Sequence, residues 1–276
     1  MKTGIIIPCY NEANRLDVNA FNEFIQSHDN YHLCFVNDGS KDHTLEVLNK
    51  IQREASSQVS IVDVKKNAGK AAAVRSGARY LYNRTDIDYI GFIDADLSTD
   101  FKDFKKLVDT LQNNDALTMV YGSRGKSEGQ IERNVFRKIF SQIVKLFIFM
   151  ILGLPIEDTQ CGAKVFKRDI IPLAYDKQFL TRWLFDVEIF LRMKKHFGKD
   201  IMNRMYEQPL ERWIHMDDSK LGVKDAIQIP LMLVNIWIAY NVTSQFAVNT
   251  GEYQLALNDD FMIYNEQNLW SGRMAA

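Results

Sequence analysis

Five short hydrophobic runs recur in the first 125 residues, each followed by polar positions and then by a stretch with apolar residues near helical spacing. The runs are GIIIP (4–8), LCFV (33–36), VSIVDV (59–64), YIGFI (89–93) and LTMVYG (117–122), with the length and composition of buried strands. Between them, ANRLDVNAFNEFIQ, DHTLEVLNKIQ, GKAAAVRSGARYLY and FKDFKKLVDTLQ read as helices. Strands apolar on both faces and joined by helices predict an α/β fold: a Rossmann-like, mostly parallel central sheet flanked by helices. Beyond residue 125 the period becomes irregular. A long helix is expected over 132–152, then the polar segment EDTQCGAKVFKRD and the pattern RWLFDVEIFLRMKKHFG. No repeat, low-complexity tract or linker divides the chain. We therefore read 1–240 as one domain with halves 1–125 and 126–240, and 241–276 as a polar tail without an assigned role.

Sheets of this kind bind ligands outside the carboxyl ends of their strands. Polar groups follow all five runs there: Asn11 and Glu12, Asp38, Lys65 to Lys70, Asp94 and Asp96, Ser123 and Arg124. Taken alone, VNDGSKDHTLEVL is as consistent with a capped helix as with a ligand site. Asp42 can satisfy free N–H groups at a helix start, and Gly39 permits a sharp turn. Five polar strand ends on one rim exceed what one cap requires. The sharpest local signal is FIDADLS, because side chains two apart in an extended segment point the same way. Asp94 and Asp96 would repel each other unless a cation lay between them, and magnesium or manganese bridges such oxygens to phosphate. The alternative is an acidic turn with Asp96 capping a helix. Asp38 could reach donors on a base or ribose or lie near the metal, while Pro8, Cys9, Tyr10 and Glu12 complete the same rim.

Composition narrows the classes. The 276 residues are 46% hydrophobic and 25% charged, enough for a sizeable core, and the formal charge of -1 gives no general attraction to nucleic acid. Cys9, Cys34 and Cys161 are too scattered for a disulfide framework or a metal motif, which points to a reducing compartment. The histidines form no zinc pattern. GxGxxG, GxxxxGK[ST] and GxSxG are all missing, which argues against a dinucleotide fold, a phosphate loop and a serine hydrolase. Lys70 and Arg75 either hold phosphate or solvate a helix. Two greasy segments, 139–156 and 226–240, are interrupted by Lys145 and by Pro230 and Asn235, so neither offers about 20 uninterrupted apolar residues. Each reads as a buried helix or as a surface-lying or re-entrant one.

In order, IIIPCYNEANRL, VNDGSKDHT, KNAGKAAAVRSG and IDADLS resemble the N-terminal motifs of glycosyltransferase family 2, the GT-A fold enzymes. YGSR, DTQCGAKVFKR, RWLFDVE and WIHMDDSKL are most similar to the dolichyl-phosphate β-glucosyltransferase branch, although Asn37 stands where that family usually has aspartate. The resemblance implies an inverting, metal-dependent transferase that moves a sugar, glucose by this likeness, from a UDP-sugar to a polyprenyl phosphate. It implies Mg2+ or Mn2+ held by Asp94 and Asp96, donor contacts from Pro8, Tyr10, Glu12, Asp38 and Lys70, and Asp158 beside the acceptor as the catalytic base candidate, orienting it or taking its residual proton. Arg124, Arg133, Arg137 and Lys164 become candidates for the acceptor phosphate, and Asp186 and Lys220 for the same side. Helix-edge solvation is the competing reading of the arginines, and core packing that of Trp183 and Trp213. Asp186 is favoured over Glu188 to face the site. The implied setting is cytoplasmic, peripheral on the membrane face, without nucleic acid. A family 2 enzyme using a hydroxyl acceptor, a nucleotidyltransferase and a non-catalytic nucleotide-binding protein are the alternatives.

Overall fold

A computed structural model of the chain describes residues 1–124, 135–211, 223–242 and 261–264, the side chains of 135–141, 223–227 and 261–264 excepted. The five expected strands are present as β1 (Thr3–Cys9), β2 (Tyr31–Asp38), β3 (Val59–Val64), β4 (Tyr89–Ile93) and β5 (Met119–Ser123). So are the four intervening helices, α1 (Val18–Ser27), α2 (Thr44–Glu54), α3 (Lys70–Tyr82) and α4 (Phe101–Gln112). Two starts move inward from the pattern. Helix α1 begins at Val18 because the Asp17 carboxylate accepts the Ala20 N–H and ends the preceding turn. Helix α2 begins at Thr44, and Asp42 accepts both its N–H and its hydroxyl while also taking the Ala13 N–H. Asp42 therefore caps and stitches at once.

The second half contributes α5 (Val135–Leu152), β6 (Ala163–Lys167), α6 (Ile171–Tyr175), α7 (Phe185–Phe197), α8 (Ile201–Arg204), β7 (Met205–Pro209) and α9 (Val223–Asn241). From the tail, Phe261–Tyr264 forms β8. The sheet order is β7-β5-β6-β4-β1-β2-β3-β8. Strands β1 to β4 run parallel, as do β5 and β7, while β6 is antiparallel to both neighbours and β8 to β3. That reversal matters. It delivers the amino end of β6, and the turn before it, to the rim where the parallel strands end.

Alternation along β1 splits the core into two layers. Ile5 and Ile7 pack with Phe21, Leu48, Ile51 and Phe104 on the face covered by α1, α2 and α4. Ile6 joins Val74, Leu81, Phe185 and Phe190 on the face covered by α3 and α7. Each such fully buried side chain contributes roughly 1.5–3 kcal/mol of burial, before chain entropy opposes it. Helix α3 comes close because of Gly77, where a Cβ would lie 2.5 Å from Cγ2 of Ile6.

The two greasy segments are helices α5 and α9, packed against each other. Each is buried on one side and bare on the other, so both readings of the sequence hold in part. Ile148, Leu152, Leu233, Ile236 and Tyr240 are buried, whereas Leu146, Phe149, Met150, Leu231, Trp237 and Ile238 are exposed. Among the described residues, no helix is long and apolar enough to cross a membrane.

Candidate active site

At the end of β2 lies a buried carboxylate, Asp38, one of the expected donor contacts. Asp38 is almost wholly buried, and its oxygens accept the Ala68 N–H at 2.8 Å, the Gly69 N–H at 2.7 Å and the Asn67 side-chain N–H at 2.8 Å. Burial pushes its carboxyl above the ordinary range, against the pull of those two backbone donors and of Arg182. From the opposite side, the Arg182 guanidinium donates to the carbonyls of Ala68 and Asn67 and to the Asn67 side chain, while its own carbonyl accepts the Ala71 N–H. The loop before α3 is thus clamped between the ends of β2 and of the segment leading into α7. Gly69 adopts φ 95°, and a Cβ there would strike Arg182, so both the left-handed backbone and the close approach call for glycine.

The clamp aims Lys70, the first residue of α3, at the end of β4. Its ammonium lies 2.5 Å from Asp94, with Asp186 and Asp96 also nearby. Burial opposes charge on Lys70, but those three carboxylates outweigh it and raise its pKa. Lys164 is completely buried on β6, 2.6 Å from Asp186 and 2.8 Å from the Cys161 carbonyl that it donates to. Both ammonium groups lie near the Phe92 ring, at 5.8 Å for Lys70 and 5.3 Å for Lys164. Burial raises the Asp186 carboxyl, while Lys164 and Lys70 offset part of that rise. The result is a chain of alternating charge below the rim. Asp96 accepts the Ser98 N–H and lies 4.0 Å from Arg15, and Asp100 rather than Asp96 caps α4.

The rim suits a hard divalent ion in donor type. Asp94 and Asp96 are half-exposed carboxylates, and a lysine ammonium already rests on one of them. Gly162 leaves room for Asp94, since any Cβ there would occupy its carboxylate. Among the described residues, no three or more His, Cys, Asp or Glu side chains form a metal cage. Beside this rim, a cavity of about 680 Å³ is lined by Tyr10, Asn37, Ser40, Asp63, Lys66 and Asn67, with Asn37 donating to Asp63 at 2.6 Å. A second cavity of about 550 Å³ lies across the Val64–Asn67 strap, beside Arg75 and Thr181.

Asp158, expected beside the acceptor, is buried in the turn before β6. Arg124 grips it with Nε at 2.7 Å, Nη2 at 2.8 Å and its backbone N–H at 3.1 Å. Burial would raise this carboxyl, yet the Arg124 contacts prevail and hold it below the ordinary range. The backbone N–H groups of Glu157 and Asp158 donate to Glu207 on β7. Burial pushes the neighbouring Cys161 thiol up to about 11, which makes it a poor nucleophile near neutrality.

Glu12 lies partly buried near Arg15, its backbone N–H donating to the Thr44 hydroxyl, and Tyr10 is exposed beside it. Pro8 pairs with Val36 across the first two strands. Arg75 donates to the carbonyls of Tyr175 and Asp176, joining α3 to the loop after α6. Trp183 is exposed, so core packing does not account for it. Of the α7 carboxylates, Asp186 joins the Lys70–Asp94 group, whereas Glu188 holds the N–H groups of Leu180 and Thr181 and the Tyr240 hydroxyl. Arg133, Trp213 and Lys220 lie outside the described residues, and Arg137 is described only as a helical position of α5. Sequence reasoning missed Arg182 and Glu207. The available signal for Arg182 was its place at the head of the quoted RWLFDVE motif; nothing local marks Glu207.

Residues 4–172 match the model of glycosyl transferase family 2. The dolichyl-phosphate beta-glucosyltransferase of Dictyostelium discoideum is 31% identical over 253 residues, covering 86% of this chain and 74% of that protein. The Saccharomyces cerevisiae enzyme of the same name is 29% identical over 259 residues, covering 86% and 74%. Among solved structures, glucosyl-3-phosphoglycerate synthase from Mycobacterium tuberculosis with Mn2+, UDP and phosphoglyceric acid aligns at TM-score 0.63. The identity is 13%, covering 87% of this chain and 78% of that one, a likeness of fold.

Arg124→Met should lower unfolding free energy at neutral pH by about 3 kcal/mol, because it removes the guanidinium that pairs with a buried carboxylate. The sign with pH follows from Asp158. Its folded pKa is lowered, so its contribution is present above the unfolded value and lost as pH falls through the folded one. Urea unfolding at pH 7 and pH 3 should therefore show a large gap between parent and variant at pH 7 and a smaller one in acid. An equal gap at both would mean that the ion pair is not its source.

Proposed function

This chain belongs to glycosyl transferase family 2, and we propose that it moves glucose from UDP-glucose to a polyprenyl phosphate with inversion at the anomeric carbon. The observation that carries the reading is the convergence, on one sheet rim, of Asp94, Asp96 and Lys70 with the Arg124–Asp158 pair. The first group suits a diphosphate and its cation, and the second a phosphate acceptor. The names of the relatives supply the sugar and lipid classes, and the M. tuberculosis complex illustrates UDP and Mn2+ on a shared fold.

On the donor side, the uridine would lie against Pro8, Tyr10 and Glu12, with the Asp38-clamped loop as its wall. Lys70, at the amino end of α3, adds positive charge toward the diphosphate, as helix N-termini do. Magnesium or manganese held by Asp94 and Asp96 would offset the negative charge that develops on departing UDP. Lys164 and Asp186 act from beneath, holding the charged floor in place.

On the acceptor side, a phosphate oxygen attacks the anomeric carbon as its bond to UDP breaks, giving the lipid-linked sugar and UDP. A phosphate monoester has a second pKa of roughly 6 and arrives largely ionised, so little base strength is needed. Asp158 suits that demand: ionised and gripped by Arg124, it is a weak proton acceptor and an effective orienting group. Arg124, with Arg133, Arg137 and Lys220, would contact the phosphate. A hydroxyl acceptor would require a stronger base at this position.

The bare face of α5 and α9 supports a lipid setting. Helix α5 ends at Leu152, six residues before Asp158, so the helix and the turn are neighbours in the chain. In this reading the two helices lie on the cytoplasmic membrane face and bring the site to a membrane-resident substrate.

Incubation with UDP-glucose, manganese and a polyprenyl phosphate in micelles should yield UDP and a glucosylated lipid by mass. Asp96→Asn should lower turnover about 100-fold or more at unchanged melting temperature. Pyrophosphate release, or donor binding without sugar consumption, would contradict the reading. Separately, Trp237→Glu should weaken sedimentation with anionic vesicles by roughly tenfold, as expected for removing one buried aromatic anchor. Unchanged vesicle binding would remove α9 from the membrane face.

A further inference from the structure

The acceptor turn is held by a residue with no part in the chemistry described so far. On β7, Glu207 lies in register with Tyr121 of β5 and is half-buried at that edge of the sheet. One carboxylate oxygen accepts the Asp158 backbone N–H at 3.0 Å. The other accepts the Glu157 N–H at 3.2 Å and the Tyr121 hydroxyl at 3.2 Å. Two consecutive backbone N–H groups thus end on one side chain. Only a carboxylate offers an acceptor to each with a third to spare for the tyrosine. An amide would set its NH2 against one of the donors. Downstream, the Asp158 side chain accepts from three Arg124 donors and from the Gln160 N–H at 3.3 Å.

We propose that Glu207 is a positioning residue for the acceptor side: it fixes the Glu157–Asp158 backbone and thereby sets where Asp158 presents Arg124. Its leverage is geometric. It lies on a sheet strand, while the turn it holds connects α5 to β6. Losing it would let Asp158 and Arg124 stay paired but move together away from the incoming phosphate. The inference rests on the reading of Asp158 and Arg124 as the acceptor side, and the test separates the two.

The test is a double-mutant cycle of Glu207→Gln and Asp158→Asn on the full chain, using UDP-glucose and a polyprenyl phosphate in micelles. Glu207→Gln should raise the acceptor KM about tenfold while leaving the donor KM within about twofold, the scale of losing a charged hydrogen bond on one side only. In the Asp158→Asn background the further rise should vanish, because both changes act through one element. Glu207→Asp keeps the charge but is a methylene shorter, and should behave like the glutamine variant. It also carries the cycle if the glutamine variant melts too low to assay. If Asp158→Asn leaves the acceptor KM unchanged, the acceptor-side reading itself fails. If Asp158→Asn raises it but Glu207→Gln adds an independent effect or raises the donor KM equally, the assignment of Glu207 is overturned. Full rescue by aspartate would likewise overturn it, since charge rather than reach would then matter.

Discussion

The rim proposed to take the donor depends on one constraint, a buried carboxylate that must find hydrogen-bond donors. Ionised in a nearly closed place, Asp38 would be costly were it not met by the N–H groups of Ala68 and Gly69 and by Asn67. Those donors exist only if the chain after β3 folds back over the end of β2. Gly39 permits that, with φ 63° and a place where a Cβ would lie 2.6 Å from the Asn67 nitrogen. Arg182 closes the loop from above, Gly69 turns beneath it, and Lys70 emerges facing Asp94. The position of the ammonium is therefore a consequence of how Asp38 is satisfied.

The second half repeats the logic with buried ion pairs. Lys164 and Asp186 join β6 to α7, and Glu188 with Arg192 and Tyr240 joins α7 to α9. Such pairs add little net stability over apolar substitutes, but each is costly to break, which favours one arrangement of the elements. Through them the helices bearing the apolar face are fixed to the elements that hold Arg182 and Asp186. The exposed apolar face of α5 and α9 and the charged rim at the end of β4 belong to one continuous framework.

The alternating α/β pattern was legible because strands buried on both faces are apolar without interruption, and the carboxylates at the end of β4 because their spacing is local. What escaped was non-local. Strand β6 hid in EDTQCGAKVFKRD, since a lysine at its second position reads as surface; Lys164 is buried only because Asp186, distant in sequence, meets it. Strand β8 is four residues inside a polar tail, too short to stand out. Arg182 and Glu207 act through backbone groups of remote segments, a role that leaves no spacing to find. Asp38 was legible as a rim residue, but the extent to which its oxygens are engaged by the 67–69 loop was not.

The claim that this clamped loop organises the donor site is tested most directly by titrating UDP with manganese into Arg182→Ala in a calorimeter. Arg182 is exposed, so the fold should melt at nearly the parent temperature. The account predicts a Kd raised about tenfold, the scale of losing charged hydrogen bonds that order a binding loop. An unchanged Kd in the folded variant would contradict it.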